Sequence, residues 1–223
     1  MVIPWKDDFT PLLLHKNFKE ESLMNKDMTF FDKYADNWDT TRKENPEKIN
    51  YLLQLASIPT GAHVLDVGSG TGILLPYLHK IIGPSGTITA VDFSDNMLKK
   101  SQCKFGHLPN VNFFLGNILQ ISLQKNFYNV AICLNVFPHF GNHKEDFIKQ
   151  IYSILPSMGS LIIMHDISRA TVNGVHRNCN EIKNHMLPPV NMTAHMLSQA
   201  GYKIATATEN NTMYFIKGIK NQY

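Results

Sequence analysis

The chain has 223 residues, 43% of them hydrophobic, which suits one α/β domain with a full core, since single domains of this kind commonly run to about 250 residues. Lys and Arg number 21 against 18 Asp and Glu, and the net charge of +3 is spread along the chain. No basic run is interleaved with aromatics, which argues against nucleic acid as a partner, and no apolar stretch approaches the roughly 18 residues that span a bilayer.

Residues 1–28 are irregular and read as an N-terminal arm, without the layout of a signal peptide. From Phe30 to about Arg42, the residues Phe31, Tyr34, Ala35 and Trp38 recur at three- and four-residue steps, which predicts a helix. A second helix has Pro46 in its first turn, carries Ile49, Leu52, Leu53 and Ala56, and ends at Pro59-Thr60-Gly61. Strand 63–67 then leads to a helix around 72–82 that contains Pro76. After the Gly83-Pro84-Ser85-Gly86 turn, strand 87–91 leads to a helix near 94–104. Strand 111–115 follows a Pro-Asn turn, and strand 129–134 leads through Phe137-Pro138-His139 to a helix near 143–155. Strand 160–165 follows Pro156-Ser157-Met158-Gly159. A helical stretch over 171–186 runs up to Pro188-Pro189, and a further helix covers 191–200. Strands 203–208 and 212–218 flank a Glu209-Asn210-Asn211 turn. Strands alternating with helices mean an α/β fold with a mostly parallel sheet, here with an antiparallel C-terminal hairpin at one edge.

The first strand runs through Val64-Leu65-Asp66-Val67 into glycines at alternate positions, Gly68, Gly70 and Gly72. Such a strand ends in a tight turn over which a nucleoside ligand can lie against bare backbone. Twenty residues past Gly72 the second strand ends in Asp92, whose two carboxylate oxygens suit a ribose diol. A dinucleotide turn has G-x-G-x-x-G; here the third of those positions is Ile73, and the Tyr-x-x-x-Lys motif of nicotinamide-dependent oxidoreductases is missing.

The glycine turn resembles the first motif of the class I S-adenosylmethionine (SAM) methyltransferases, of the ubiquinone/menaquinone-methyltransferase-like type. Val91-Asp92-Phe93-Ser94-Asp95-Asn96-Met97-Leu98 is similar to that family's second-strand block. Phe114-Leu115-Gly116-Asn117-Ile118 is similar to its third, and Tyr128-Asn129-Val130-Ala131-Ile132-Cys133-Leu134-Asn135 to its fourth. The resemblance covers roughly residues 30–220. It implies a three-layer, Rossmann-like sheet of seven strands with the last inserted antiparallel. It also implies a single domain over 29–223, with lid helices over 29–58 and an acceptor-pocket roof over 167–190. The implied cofactor is SAM, and the implied reaction is in-line methyl transfer to a small-molecule acceptor. The alternatives are a SAM-binding protein without catalysis and, further off, a nicotinamide-dependent oxidoreductase.

By the same resemblance, Asp66 orients the turn and the cofactor's amino group, with a turn-capping carboxylate as the alternative. Asp92 binds the ribose hydroxyls. Phe93 and Met97 lie against the adenine or ribose, or are core. Asn117, where the family more commonly has Asp, would meet the adenine amino group through its amide oxygen, and the Ile118 N–H a ring nitrogen. Asn135 stands where the methionine part and the acceptor meet. Tyr34, Trp38 and Arg42 belong to a helix that in the family often closes over the site.

A neutral oxygen or nitrogen acceptor also needs a base. His165 and His139, after the fifth and fourth strands, are the candidates; His143, His176, Arg177 and His185 are further polar groups in the region. No metal is expected. The weaker alternative is a site from His165, Asp166 and His176. His176 and His185, nine residues apart, fall about 180° apart around one helix and cannot share an ion unless that helix breaks. The H-E-x-x-H signature is absent.

Cys103, Cys133 and Cys179 are far apart, with no CxxC, so neither a disulfide framework nor a structural zinc site is expected, and a reducing cytoplasm is the natural location. The cysteine pattern expected of an arsenic methyltransferase is missing. Phe137, Phe140, Met164 and Met186 near the expected pocket leave quinone, lipid-like or other apolar acceptors open. The oligomeric state is monomer or homodimer, with the aromatic arm able to support a dimer.

Overall fold

The computed structural model describes residues 28–222. The arm expected over 1–28, and any dimer contact through it, lies outside the described residues apart from Met28.

A helix over 28–34 (α1) passes through the 3-10 turn Ala35–Asn37 into Trp38–Thr41 (α2), so the predicted N-terminal helix is present with a kink. Pro46–Ala56 (α3) is capped by Asn45, whose side chain accepts the Lys48 N–H at 3.0 Å, and it ends on Ser57 in the left-handed region. The alternating region then gives β1 (His63–Val67), α4 (Leu75–Ile82), β2 (Thr87–Asp92), α5 (Asp95–Phe105), β3 (Val111–Leu115), β4 (Val130–Leu134), α6 (Lys144–Ile154) and β5 (Ser160–His165). It closes with α7 (Arg169–Arg177), α8 (Val190–Gln199), β6 (Tyr202–Glu209) and β7 (Tyr214–Lys220). Pro76 sits in the first turn of α4, where its missing N–H costs nothing.

The seven strands lie in the order β3-β2-β1-β4-β5-β7-β6. The strands from β1 to β5 pair parallel, and β7 runs antiparallel between β5 and β6. The α/β architecture with the last strand inserted antiparallel is therefore the observed one. Successive residues of the central strands feed opposite faces, so these strands are apolar throughout. Leu65, Ala131, Cys133, Leu161 and Ile163 join the core under α6 and α8. Val64, Val130, Ile132, Ile162 and Met164 join the core under α3 and α4. Strand order reverses between β1 and β4, which opens a crevice at the carboxyl ends of those strands.

One predicted element differs. The helix expected over 171–186 ends at Arg177. Beyond it the chain turns back on α7. The Asn173 side chain accepts the Leu187 N–H at 2.8 Å and donates to the Leu187 carbonyl at 3.0 Å, while His176 Nδ1 donates to the His185 carbonyl. Side-chain bonds to the backbone have replaced the helical ladder, a competition open to Asn and His that periodicity does not register.

Candidate active site

The glycine turn floors a cleft at the carboxyl ends of β1, β2 and β4. Gly68, Gly70 and Gly72 take φ of 65°, 55° and 88°. A Cβ on Gly68 would stand 2.6 Å from Val136 Cγ2, and one on Gly72 2.4 Å from Ser101 Oγ, so packing excludes a side chain at both. Gly70 differs: a Cβ there would meet nothing within 4 Å, because it would project into the open cleft.

Asp92 fastens this turn to β2. Its Oδ2 accepts the Gly70 N–H at 2.7 Å and its Oδ1 the Ser94 N–H at 2.9 Å. Burial pushes its pKa up to about 6 against the opposing pull of those backbone donors, with the Asp32 charge adding to the rise. Asp66 is more deeply enclosed. Burial, then the Asp92 charge, raises it to about 7, and its Oδ2 has no hydrogen-bond partner. None of the ion pairs among the described residues involves either acid. Ser69 Oγ, on the cleft wall, is also buried without a partner. A buried carboxyl without a counter-ion, an unsatisfied hydroxyl and bare glycine backbone fit a polar, cationic nucleoside better than an apolar ligand.

α1 and α2 roof the cleft with Phe31, Trp38, Asp39 and Arg42. Asp32, Asp36 and Asp39 recur at four- and three-residue steps, one face of a helix. Asp32 Oδ1 accepts the Ser94 hydroxyl at 2.5 Å. Asp36 pairs with Lys100 at 2.9 Å. Asp39 takes the Thr71 hydroxyl at 2.6 Å and Lys104 at 2.9 Å. Burial alone would raise the Asp39 pKa, but Thr71 and Lys104 outweigh it and leave it lowered. Arg42 reaches across to Asp166 at 3.1 Å. Phe31 and Asp39 are cleft residues beyond those expected from the sequence; the spacing of the three acids is a signal for Asp39 and carries none for Phe31.

The wall adjoining the glycine turn comes from the end of β4: Leu134, Asn135, Val136 and His139. Asn135 holds φ of 63°, a conformation that Asn tolerates better than most residues, and its Oδ1 lies 3.4 Å from the Asp166 N–H. The His139 ring meets Phe31 edge-on with centroids 5.0 Å apart. Behind it, His139 Nδ1 lies 3.2 Å from His185 Nδ1, and its centroid is 4.9 Å from that of His176. Burial, then His176 and His185, holds the His139 pKa well below its usual value, so the ring is neutral at pH 7. Burial likewise takes His185 down to about 4.

The structure thus brings Gly68, Gly70, Asp92, Phe93, Met97, Asn135 and His139 around one cleft, with Trp38 and Arg42 above. Other expected residues do not line it. Gly72 and Asp66 support the turn from behind. Ile118 is buried in the core beside α6, and the Asn117 amide oxygen accepts the Leu119 N–H at 2.9 Å. Tyr34 is exposed. His143 sits on the surface paired with Asp146 at 3.0 Å.

His165, the other candidate base, is buried outside the cleft wall and packs edge-on against Tyr214 at 5.8 Å between centroids. Neither of its ring nitrogens has a partner, and burial lowers its pKa to about 3. Among the described residues no group of three or more His, Cys, Asp or Glu is placed to hold a metal ion. Asp166 of the alternative metal set is engaged by Arg42 instead. The condition set for His176 and His185 is met, since the helix between them does break, and they meet through a ring and a carbonyl.

Residues 64–159 match a family model described as a methyltransferase domain. The chain is 27% identical over 119 residues to the ubiquinone/menaquinone biosynthesis C-methyltransferase UbiE of Pseudomonas fluorescens, covering 51% of this chain and 45% of that protein. The UbiE protein of Blochmanniella floridana is 29% identical over 117 residues, with 51% and 46% covered. The matched stretch therefore spans about half the length of these curated relatives. A SAM-dependent methyltransferase from Aquifex aeolicus superposes with a TM-score of 0.66 at 19% identity, over 86% of this chain and 97% of that one. Haemonchus contortus phosphoethanolamine N-methyltransferase 2, solved with S-adenosyl-L-methionine, superposes with a TM-score of 0.68 at 12% identity, over 86% and 57%. Among the described residues no helix is long and apolar enough to cross a membrane.

Proposed function

We propose that this chain, whose fold and central sequence are those of the class I SAM-dependent methyltransferases, transfers a methyl group from SAM to a small aromatic acceptor of the quinol type. The observation that carries the reading is the cleft itself: Asp92 and the glycine turn face His139 under the aromatic roof of Phe31 and Trp38. SAM supplies a methyl group on a sulfonium, whose sulfur keeps the bonding pair when the methyl leaves. The chain's own residues bind, orient and exclude water. Asp92 would hold the ribose hydroxyls while keeping the turn in place, and Phe93 and Met97 would flank the nucleoside. Asp92, which lines the cleft without a Lys or Arg partner, would face the positive charge of the cofactor.

His139 is the proposed catalytic residue. It is a neutral ring lining the cleft and would take the acceptor's proton. The aromatic acceptor is supported by the roof, and its quinol character by the UbiE relatives, whose names state C-methylation in ubiquinone and menaquinone biosynthesis. A small acceptor follows from the same relatives.

Calorimetric titration with SAM and S-adenosylhomocysteine, followed by transfer of labelled methyl to a panel of benzoquinols and naphthoquinols, tests the reading. Micromolar binding with label entering a quinol ring carbon supports it. Binding without turnover on a broad acceptor panel would favour a SAM-binding regulator, and no binding would end the methyltransferase reading.

A further inference from the structure

We propose that His185 is the positioning residue for His139: it accepts the Nδ1–H of His139 and so leaves Nε2 of that ring as the bare nitrogen available to the cleft. This rests on the reading of His139 as proton acceptor.

Two ring nitrogens 3.2 Å apart are at hydrogen-bond distance. Two neutral imidazoles in this arrangement share one hydrogen between the facing atoms, so one Nδ1 donates and the other accepts. With Nδ1 of His139 occupied, Nε2 is the nitrogen left for chemistry. Only Nδ1–H on His139 leaves Nε2 with a free lone pair. The opposite direction would put a hydrogen on Nε2 and make it a donor, unable to take a proton.

The backbone around His185 is held for this purpose. His176 Nδ1 bonds the His185 carbonyl, which can only accept, so His176 carries its proton on Nδ1. Two residues on, Asn173 clamps both the N–H and the carbonyl of Leu187, at 2.8 and 3.0 Å. α7 therefore fixes the returning strand of the roof at three points and delivers the His185 ring behind His139. When an acceptor's proton reaches Nε2, the His139 ring becomes an imidazolium. Its Nδ1–H then donates to His185 as a charge-assisted bond, stronger than the neutral one. The same bond also fixes the ring plane against Phe31, 5.0 Å away.

The test uses the full chain labelled with 15N in its histidine rings. Long-range 1H–15N correlation spectra at pH 7.5 report the tautomer of each ring, and His139 is assigned by its disappearance in His139→Gln. The expected result is a protonated Nδ1 and a bare Nε2 for His139, with the proton moving to Nε2 in His185→Phe. A wild-type His139 carrying its proton on Nε2 would overturn the proposal without any variant. So would a His139 signature unchanged in His185→Phe. A joint shift of both Nδ1 signals with equimolar zinc, retained through dialysis, would also overturn it by making the pair metal ligands. SAM binding is measured on the same samples. Its absence in the wild type would sink the methyl-transfer reading while leaving the tautomer result standing, so the two failures are distinguishable.

Discussion

Placing an alanine at Gly70 and at Gly68 separates ligand contact from packing within one turn. At Gly70 the added Cβ has nothing within 4 Å and a φ of 55°, so the fold loses only the left-handed penalty, about 1–2 kcal/mol. The same methyl projects into the cleft, where the nucleoside would press against the backbone. SAM affinity is expected to fall at least ~10-fold, which is about 1.4 kcal/mol. At Gly68 the φ is 65° and the Cβ would lie 2.6 and 2.7 Å from the two methyls of Val136. There the left-handed penalty adds to overpacking of about 1–3 kcal/mol, for a total near 2–5 kcal/mol of stability. Val136→Ala removes both clashing methyls, so Gly68→Ala/Val136→Ala should be more stable than Gly68→Ala alone. Urea unfolding gives the stabilities, and calorimetry the affinities. A Gly70→Ala protein that folds and binds SAM as tightly as wild type would refute the assignment of this turn as the cofactor platform.

Three further outcomes follow from the acids and the roof. Asp92→Asn turns one acceptor oxygen into a donor facing either the Gly70 or the Ser94 N–H. About 1–3 kcal/mol of stability should be lost to the unsatisfied group, together with SAM affinity; equal urea midpoints for variant and wild type would contradict it. Asp66, whose folded pKa of about 7 lies above its unfolded value, favours folding when protonated and loses that contribution as pH rises through about 7. Asp66→Asn should therefore stabilise the protein more at pH 8 than at pH 5, and a Tm difference independent of pH would count against the burial argument. Replacing Asp32, Asp36 and Asp39 together by Ala removes the contacts of the roof helix to Ser94, Lys100, Lys104 and Thr71. Proteolysis within 28–42 should accelerate severalfold in the apo form and SAM affinity should weaken; unchanged cleavage would mean the roof is held by Phe31 and Trp38 alone.

Much of this molecule was legible along the chain because its signals are local. Apolar runs marked every strand within two residues, and the central β4 and β5 most plainly, since a strand buried on both faces has little choice of composition. The glycine turn and Asp92 were equally readable, because the backbone angles of that turn and a paired-oxygen acceptor at the strand end each demand particular residue types. The lost half of the helix predicted over 171–186 was not legible: apolar spacing does not report that Asn173 and His176 bond the returning backbone. That His139 lines the cleft while His165 does not was illegible for a related reason. His165 ends a strand that points at the cleft by topology, yet its own side chain turns into the core against Tyr214.

Sequence alone determined the α/β class, the glycine turn and the acid at the end of β2, because each follows from periodicity or from a residue type that the backbone requires. The tertiary structure alone decided which polar groups share a space. Residues 42 and 166, 39 and 71, and 139 and 185 are remote in the chain, and no spacing rule links them. Their pairing depends on the packing of α1, α2 and the roof over the sheet, and that packing sets the charge of each acid, the proton of each histidine and the shape of the cleft.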